Sequence, residues 1–202
     1  MSNDYFDKQA AEWDDNPVRG ELTGAIAAFI CETIPLNKDF SVLDYGCGTG
    51  LLSFLLSDKV FSVCSADISE GMLTQVRKKI TAGNIKNIEA VNFDITKNKP
   101  LNKTFDLIVS AMAMHHIADV LTAITKLAAL LKSGGWIALA DLCTEDGSFH
   151  EQGVAIHNGF APAEIAEHLK SLKMTSVIYK TVFEIPKNQK LYPVFGICAK
   201  KI

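Results

Sequence analysis

Residues 42–50 read VLDYGCGTG, an apolar run that closes on an acid and is followed by glycines at three alternate positions. Glycine loses more conformational freedom on folding than any other residue, and in return it reaches positive φ and lets another backbone or a ligand come close. Three glycines directly after a strand-like run therefore mark a tight turn beside a space that something other than the protein fills.

The surrounding chain repeats this rhythm. Short β-branched runs alternate with helical spacing, the pattern of a parallel sheet covered on both faces. We place strands over Ser41–Tyr45, Phe61–Ala66, Ile88–Phe93, Phe105–Ser110 and Trp136–Leu142, with near-continuous apolar character in LIVS and WIALA suiting doubly buried positions. Helical spacing runs through LLSFLLSDK, SEGMLTQVRKKI and ADVLTAITKLAALL, and Ser133–Gly135 is read as a helix stop. After Pro162 another helix is expected, followed by the extended runs SVIYKTVFEI and YPVFGICAK. The joint between them, PKNQK, has no room for a crossover helix, so the last strand is expected to pair antiparallel. The first forty residues read as two helical pieces, around Tyr5–Trp13 and over Arg19–Thr33. The expected fold is α/β: a doubly wound seven-stranded sheet, mostly parallel with an antiparallel C-terminal strand. We expect one domain over 1–202, with a helical lid (1–35), a binding core (41–142), and a loop, helix and strand pair (143–202).

Composition narrows the function. The 202 residues are 48% hydrophobic and 21% charged, with a formal net charge of −3, which gives no basic footprint for nucleic acid. Five scattered cysteines without a C-x-x-C pair suit reduced thiols and a cytoplasmic protein. No signal-peptide layout opens the chain and no apolar run is long enough to span a bilayer.

Ligands of such a sheet bind beyond the carboxyl ends of its strands. The loop reads G-x-G-x-G over Gly46, Gly48 and Gly50, not the G-x-G-x-x-G of a dinucleotide site, because Leu51 stands where the third glycine would be. That departure argues against a nicotinamide oxidoreductase. Asp67 closes the second strand twenty-three residues after Asp44 and could accept hydrogen bonds from both hydroxyls of a ribose. Asp94 closes the third and could accept from an adenine amino group. Each alone is more often a helix cap, as Asp67 and Ser69 both precede SEGMLTQV; three acids closing successive strands beside one glycine loop are much harder to assign to capping.

The stretches VLDYGCGTG, SADIS, NFDIT, FDLIVSAMAMHHI and LKSGGWIALAD, together spanning about residues 41 to 141, resemble the class I S-adenosylmethionine-dependent methyltransferases. The resemblance is to the small-molecule branch that includes the ubiquinone and menaquinone C-methyltransferases. It implies S-adenosyl-L-methionine as cofactor, S-adenosyl-L-homocysteine as product, and a small-molecule methyl acceptor. It implies that Asp44, Tyr45, Gly46, Gly48 and Gly50 shape the pocket for the methionine part, that Asp67 holds the ribose, and that Ile68 and Met72 line the adenine. Asp94 and Ile95 would lie at the adenine edge, and Ser110, Ala111 and Met112 beneath the methionine chain. Tyr5, Trp13 and Arg19 belong to the expected lid, with Arg19 the candidate for the cofactor carboxylate. A cofactor without phosphates needs no pyrophosphate cradle, and carboxylates suit its cationic groups.

His115 and His116 are the candidate general bases. Helical geometry would set them about 100° apart, so that one at most faces the cleft. The alternative is that they only pack at a helix start. The glycine-punctuated stretch 144–160 is a candidate functional loop in which His150 and His157 could meet a substrate, although they read rather as surface residues of a mobile loop, and His168 reads as an exposed helix residue. Asp141, Asp146, His150 and His157 match no compact metal motif, so no metal is expected. The run SAMAMHH stands where nucleic-acid amino-methyltransferases carry N-P-P-Y or D-P-P-Y, which disfavours a nucleic-acid substrate. The competing reading is a catalytically inactive S-adenosylmethionine-binding regulatory module.

Overall fold

The computed structural model describes residues 4–97, 101–151 and 154–202. Parts of the expected lid (1–3) and of the 144–160 stretch (152–153) lie outside the described residues. In chain order the elements are α1 (Asp4–Gln9), a 3₁₀ turn (Trp13–Asp15), α2 (Pro17–Thr33), β1 (Ser41–Tyr45), α3 (Leu51–Ser57), β2 (Ser62–Asp67), α4 (Glu70–Ala82) and β3 (Ile88–Asn92). They continue with β4 (Phe105–Ala111), a 3₁₀ turn (Met114–His116), α5 (Val120–Ala129), β5 (Leu131–Leu142), α6 (Pro162–Ser171), β6 (Met174–Lys187) and β7 (Lys190–Lys201).

The seven strands form one sheet in the order β3-β2-β1-β4-β5-β7-β6. Pairing is parallel from β3 through β5, and β7 runs antiparallel to both β5 and β6. The fold is the doubly wound, mostly parallel sheet expected from the alternating runs. Winding proceeds outward from β1 to β3 and then reverses to β4, so the crevice between the ends of β1 and β4 is the topological switch point.

Adjacent strand residues face opposite layers. Val42, Val63 and Leu107 meet Ile26 and Ile30 of α2 and Leu56 of α3 in one cluster. Leu43, Ile108, Ile137 and Ile197 meet Ile124 and Leu127 of α5 and Leu169 of α6 in the other. Helix starts follow local capping. Asn16 accepts the Val18 amide at 3.1 Å with Pro17 in the first turn, and Ser69 accepts the Met72 amide at 3.1 Å. The PKNQK joint becomes a two-residue turn with Asn188 and Gln189 at φ +51° and +62°, the conformation whose twist matches a hairpin.

Ser133–Gly135 is not the helix stop that its composition suggests. α5 ends at Ala129, and Leu131 already pairs with Phe105, while the next pair is Leu107 with Trp136. The glycines instead carry a bulge inside β5, which explains why that strand begins five residues earlier than its apolar run. Among the described residues no helix is long and apolar enough to cross a membrane.

Gly196 of β7 sits under α2, where an added Cβ would stand 2.6 Å from Phe29 Cδ1 and 2.8 Å from Val182 Cγ1. Strand propensity favours valine over glycine, whereas packing forbids it. Gly196→Val is expected to destabilise the protein by about 1–3 kcal/mol in urea denaturation; an unchanged or raised midpoint would show that α2 does not pack on β7 this closely.

Candidate active site

The glycine loop leaves β1 with Gly46, Gly48 and Gly50 at φ +69°, +55° and +85°, angles that other residues adopt only at a cost. Close approach adds to the requirement. A Cβ on Gly46 would lie 2.4 Å from Ala113 Cβ, so this glycine lets the segment after β4 come against the loop. The loop is tied to β2 by the Gly46 and Cys47 amides, which donate to the Ala66 carbonyl at 2.8 and 3.1 Å.

Two carboxylates stand at this junction. Asp44 is 1% exposed and accepts from Ser53 Oγ at 2.6 Å, which is in turn 2.6 Å from Ser65 Oγ. Burial raises its pKa to about 7, against the opposing pull of the Ser53 hydrogen bond. Asp67 accepts the Gly48 amide at 2.8 Å on one oxygen and the Ser69 amide at 2.9 Å on the other. Burial raises it as well, with these amide bonds pulling down. The Ile68 amide also reaches this carboxylate, and since a carboxylate offers about four acceptor sites, a hydroxyl can still be received beside these amides.

The N-terminal segment crosses the same place. Asp7 accepts from Ser69 Oγ at 2.6 Å and from the Gly71 amide at 2.8 Å, bonds that hold its carboxyl below the ordinary range. Asp14 accepts from Thr49 Oγ1 at 2.6 Å and pairs with Lys79. Arg19 lies 3.7 Å from the centroid of the Trp13 ring and donates to the Trp13 carbonyl. Phe6 bridges this aromatic strap to the far wall, edge-on to Trp13 at 5.9 Å and to His116 at 5.0 Å.

After β4 the chain turns through Met112, at φ +54° and held by its amide to the Ala140 carbonyl at 2.8 Å, into the 3₁₀ turn that carries the two histidines. His115 and Asp141 are each 1% exposed and meet through His115 Nδ1 and Asp141 Oδ1 at 2.6 Å. Asp141 also accepts the Leu142 amide at 2.8 Å and the His115 amide at 3.2 Å. The His115 ring is 4.0 Å from that of His116 and 4.7 Å from that of His150. His116 Nδ1 and His150 Nε2 are buried without a partner among the described residues. Burial and the neighbouring rings lower His116 to about 3, and burial with His115 and Lys187 lowers His150 to about 4.

A single cavity of about 830 Å³ is lined by both groups. Of the residues singled out from sequence, Tyr5, Trp13, Arg19, Asp44, Tyr45, Gly46, Gly48, Asp67, Ile68, Met72, Asp94, Ala111, Met112, His115 and His116 line it. Gly50, Ile95 and Ser110 do not. Gly50 faces Phe54 and Val76 and starts α3, Ile95 is buried in the core, and Ser110 donates to the Tyr45 carbonyl at 2.7 Å. Asp94 lines the cavity, but its carboxylate is turned to the Thr96 amide and hydroxyl at 2.9 and 2.6 Å and to Lys97 at 3.2 Å.

Three expectations are corrected here. Both histidines of the turn line the cavity, their ring centroids only 4.0 Å apart instead of splayed to opposite sides. His150 is no free surface residue: it is packed between His115 and Phe149 in the cavity wall. His168 is half-buried and bridges helices, its Nε2 lying 3.0 Å from both Thr125 Oγ1 and the Leu121 carbonyl. His157 serves the backbone, with Nε2 2.9 Å from the Ile117 carbonyl. Asp146 pairs with Lys190 on the hairpin at 2.7 Å, away from Asp141. Phe6 belongs to the aromatic segment expected as a lid and Phe149 to the 144–160 stretch, whereas the sequence offered no signal for Ile185 and Lys187 as lining residues, since they come from the far end of β6.

The methyltransferase domain family matches residues 18–176, and the chain belongs to that family. It is 32% identical over 156 residues to an uncharacterized methyltransferase of Schizosaccharomyces pombe, covering 69% of this chain and 55% of that protein. It is 33% identical over 147 residues to the malonyl-[acyl-carrier protein] O-methyltransferase of Salmonella typhimurium, covering 67% and 55%. The chain thus spans little more than half the length of these relatives. A crystal structure of a SAM-dependent methyltransferase from Aquifex aeolicus superimposes with a TM-score of 0.71 at 22% identity over 100% of both chains, which shows the shared fold.

His116 and His150 are expected to keep the proton shifts of neutral imidazole from pH 8 down to about pH 5 in NMR titration, following their lowered pKa values. Titration of either ring near its ordinary value of about 6.5 would contradict the burial described.

Proposed function

We propose that this member of the methyltransferase domain family binds S-adenosylmethionine in the switch-point cavity and transfers its methyl group to a small-molecule acceptor. The observation that carries the reading is that one cavity joins the strand-tip carboxylates Asp44 and Asp67 to the buried His115–Asp141 pair.

The residues fit the donor. Asp44 is a buried carboxyl with a serine hydroxyl as its partner and a pKa of about 7, the state of an acid that lacks a positive neighbour. An α-ammonium or sulfonium group would supply one. Asp67 retains acceptor capacity for ribose hydroxyls, and Ile68 and Met72 offer apolar surface for a base. A Cβ on Gly48 would find its nearest neighbour, Trp13 Nε1, only at 3.9 Å, so the loop presents bare backbone to the space beneath the strap.

When bound, S-adenosylmethionine supplies a methyl group already activated on a cationic sulfur. The chain's own task is alignment, exclusion of water and removal of a proton. Asp7 and Asp14 fasten the N-terminal strap at two points, on the start of α4 and on Thr49, so residues 4–19 cover the cavity as a lid. Asp141 Oδ1 accepts a hydrogen bond from His115 Nδ1–H and so fixes that tautomer, which leaves Nε2 as the acceptor for a proton from the substrate. A regulatory module that only bound the donor would gain nothing from an imidazole oriented by a buried carboxylate.

Calorimetry with S-adenosylhomocysteine is expected to show Asp67→Ala binding roughly tenfold to a hundredfold more weakly, about 1–3 kcal/mol. Unchanged affinity would contradict the ribose assignment. In tritium transfer from labelled S-adenosylmethionine to a panel of acceptors, His115→Ala and Asp141→Asn are expected to lower turnover at least about a hundredfold while product affinity stays within a few-fold of wild type. Equal loss of affinity and turnover would make the pair structural.

A further inference from the structure

Beyond the strand tips the cavity is walled by a continuous run of rings that ends on a cation. Phe6, His116, His115, His150 and Phe149 follow one another with centroids 5.0, 4.0, 4.7 and 4.7 Å apart. Lys187, from the end of β6, stands 4.9 Å from the Phe149 centroid and donates to the Phe149 carbonyl. All six line the cavity. Buried polar atoms rarely go without partners, yet His116 Nδ1 and His150 Nε2 have none among the described residues.

The carboxylates around the cavity are already engaged. Asp44 receives Ser53, Asp67 the Gly48 and Ser69 amides, and Asp94 the Thr96 groups and Lys97. Asp119 caps α5 through the Thr122 amide, and Asp141 lies under His115. On the imidazole side, among the described lining residues, the acid is Asp119 at the start of α5, Asp141 lies beneath His115, and the charge that ends the ring wall is the Lys187 ammonium.

We propose that this ring-and-lysine wall is the acceptor subsite, and that its acceptor is a phenol or enol: a weakly acidic hydroxyl on a flat apolar body. The proposal rests on the methyl-transfer reading above. A flat body suits the ring surface that Phe6, Phe149 and the three imidazoles line. Its oxygens supply the partners that the two orphaned nitrogens lack, and the Lys187 ammonium favours the anion that forms. A carboxylic acid would enter already ionised and would make no use of His115, whereas an ammonium ion would meet the like charge of Lys187 at the end of the ring wall. In the step, the hydroxyl proton goes to His115 Nε2 and the oxygen forms the new bond to the methyl carbon. The carbon–sulfur bond breaks with its electron pair passing to sulfur, and the imidazolium then releases its proton to solvent.

The test is equilibrium binding of 4-nitrophenol, 4-nitrobenzylamine and 4-nitrobenzoate to the full chain with saturating S-adenosylhomocysteine, whose own affinity is measured calorimetrically on the same samples. The phenol is expected to bind at least about tenfold more tightly than either of the other two. His150→Leu and Lys187→Met are each expected to weaken the phenol at least about fivefold with S-adenosylhomocysteine affinity unchanged within about twofold. With product binding intact, an amine or benzoate bound as tightly, no detectable phenol binding, or variants without effect would overturn the subsite alone. Failure of the wild-type protein to bind S-adenosylhomocysteine would overturn the donor reading and this inference with it.

Discussion

The site is organised by two of the amide hydrogen bonds that Asp67 accepts at the tip of β2. One comes from Gly48 in the loop after β1 and the other from Ser69 at the start of α4. A single carboxylate therefore fixes the glycine loop against the neighbouring strand and sets where the next helix begins. Ser69 then caps α4 and presents its hydroxyl to Asp7, so the strap is built on the same junction. Close approach is the companion constraint, because the loop can meet Ala113 only where Gly46 carries no side chain. Together these bonds bring the ends of β1, β2 and β4 to one crevice.

That crevice separates charge along its length. Acids stand on the strand tips, with Asp44 and Asp67 both held above the ordinary carboxylate range by burial. Imidazoles stand on the turn after β4 and on the segment after β5, with His116 and His150 pushed toward the neutral form. In the proposed reading, a cationic donor at one end and a proton-releasing acceptor at the other would each meet the complementary environment. Burying groups of opposite tendency in one cavity is costly for stability, and pKa values displaced in this way concentrate at functional sites.

Much of the fold was legible because it is local. The strands show as apolar runs, and the sheet class follows from their alternation with helical spacing. The acids at Asp44 and Asp67 and the loop glycines are visible because each sits at a strand end whose position the pattern already defines. What escaped is contact across the chain. Asp141 lies 26 residues from its partner His115, Asp7 bonds Ser69 62 residues away, and His150 reaches the cavity only through the path of the segment after β5. Nothing in spacing encodes such pairings. Ser133–Gly135 misled for a different reason: glycines stop helices and form bulges alike, and the β4–β5 register decides between them.

The most direct measurement is a crystal structure of the complex with S-adenosylhomocysteine. The account predicts ribose hydroxyls on the Asp67 carboxylate, the amino-acid part along Gly46–Gly48 with its ammonium toward Asp44, and the sulfur open toward the His115 ring. Ligand bound elsewhere, or bound here with its sulfur turned away from the imidazoles, would contradict it.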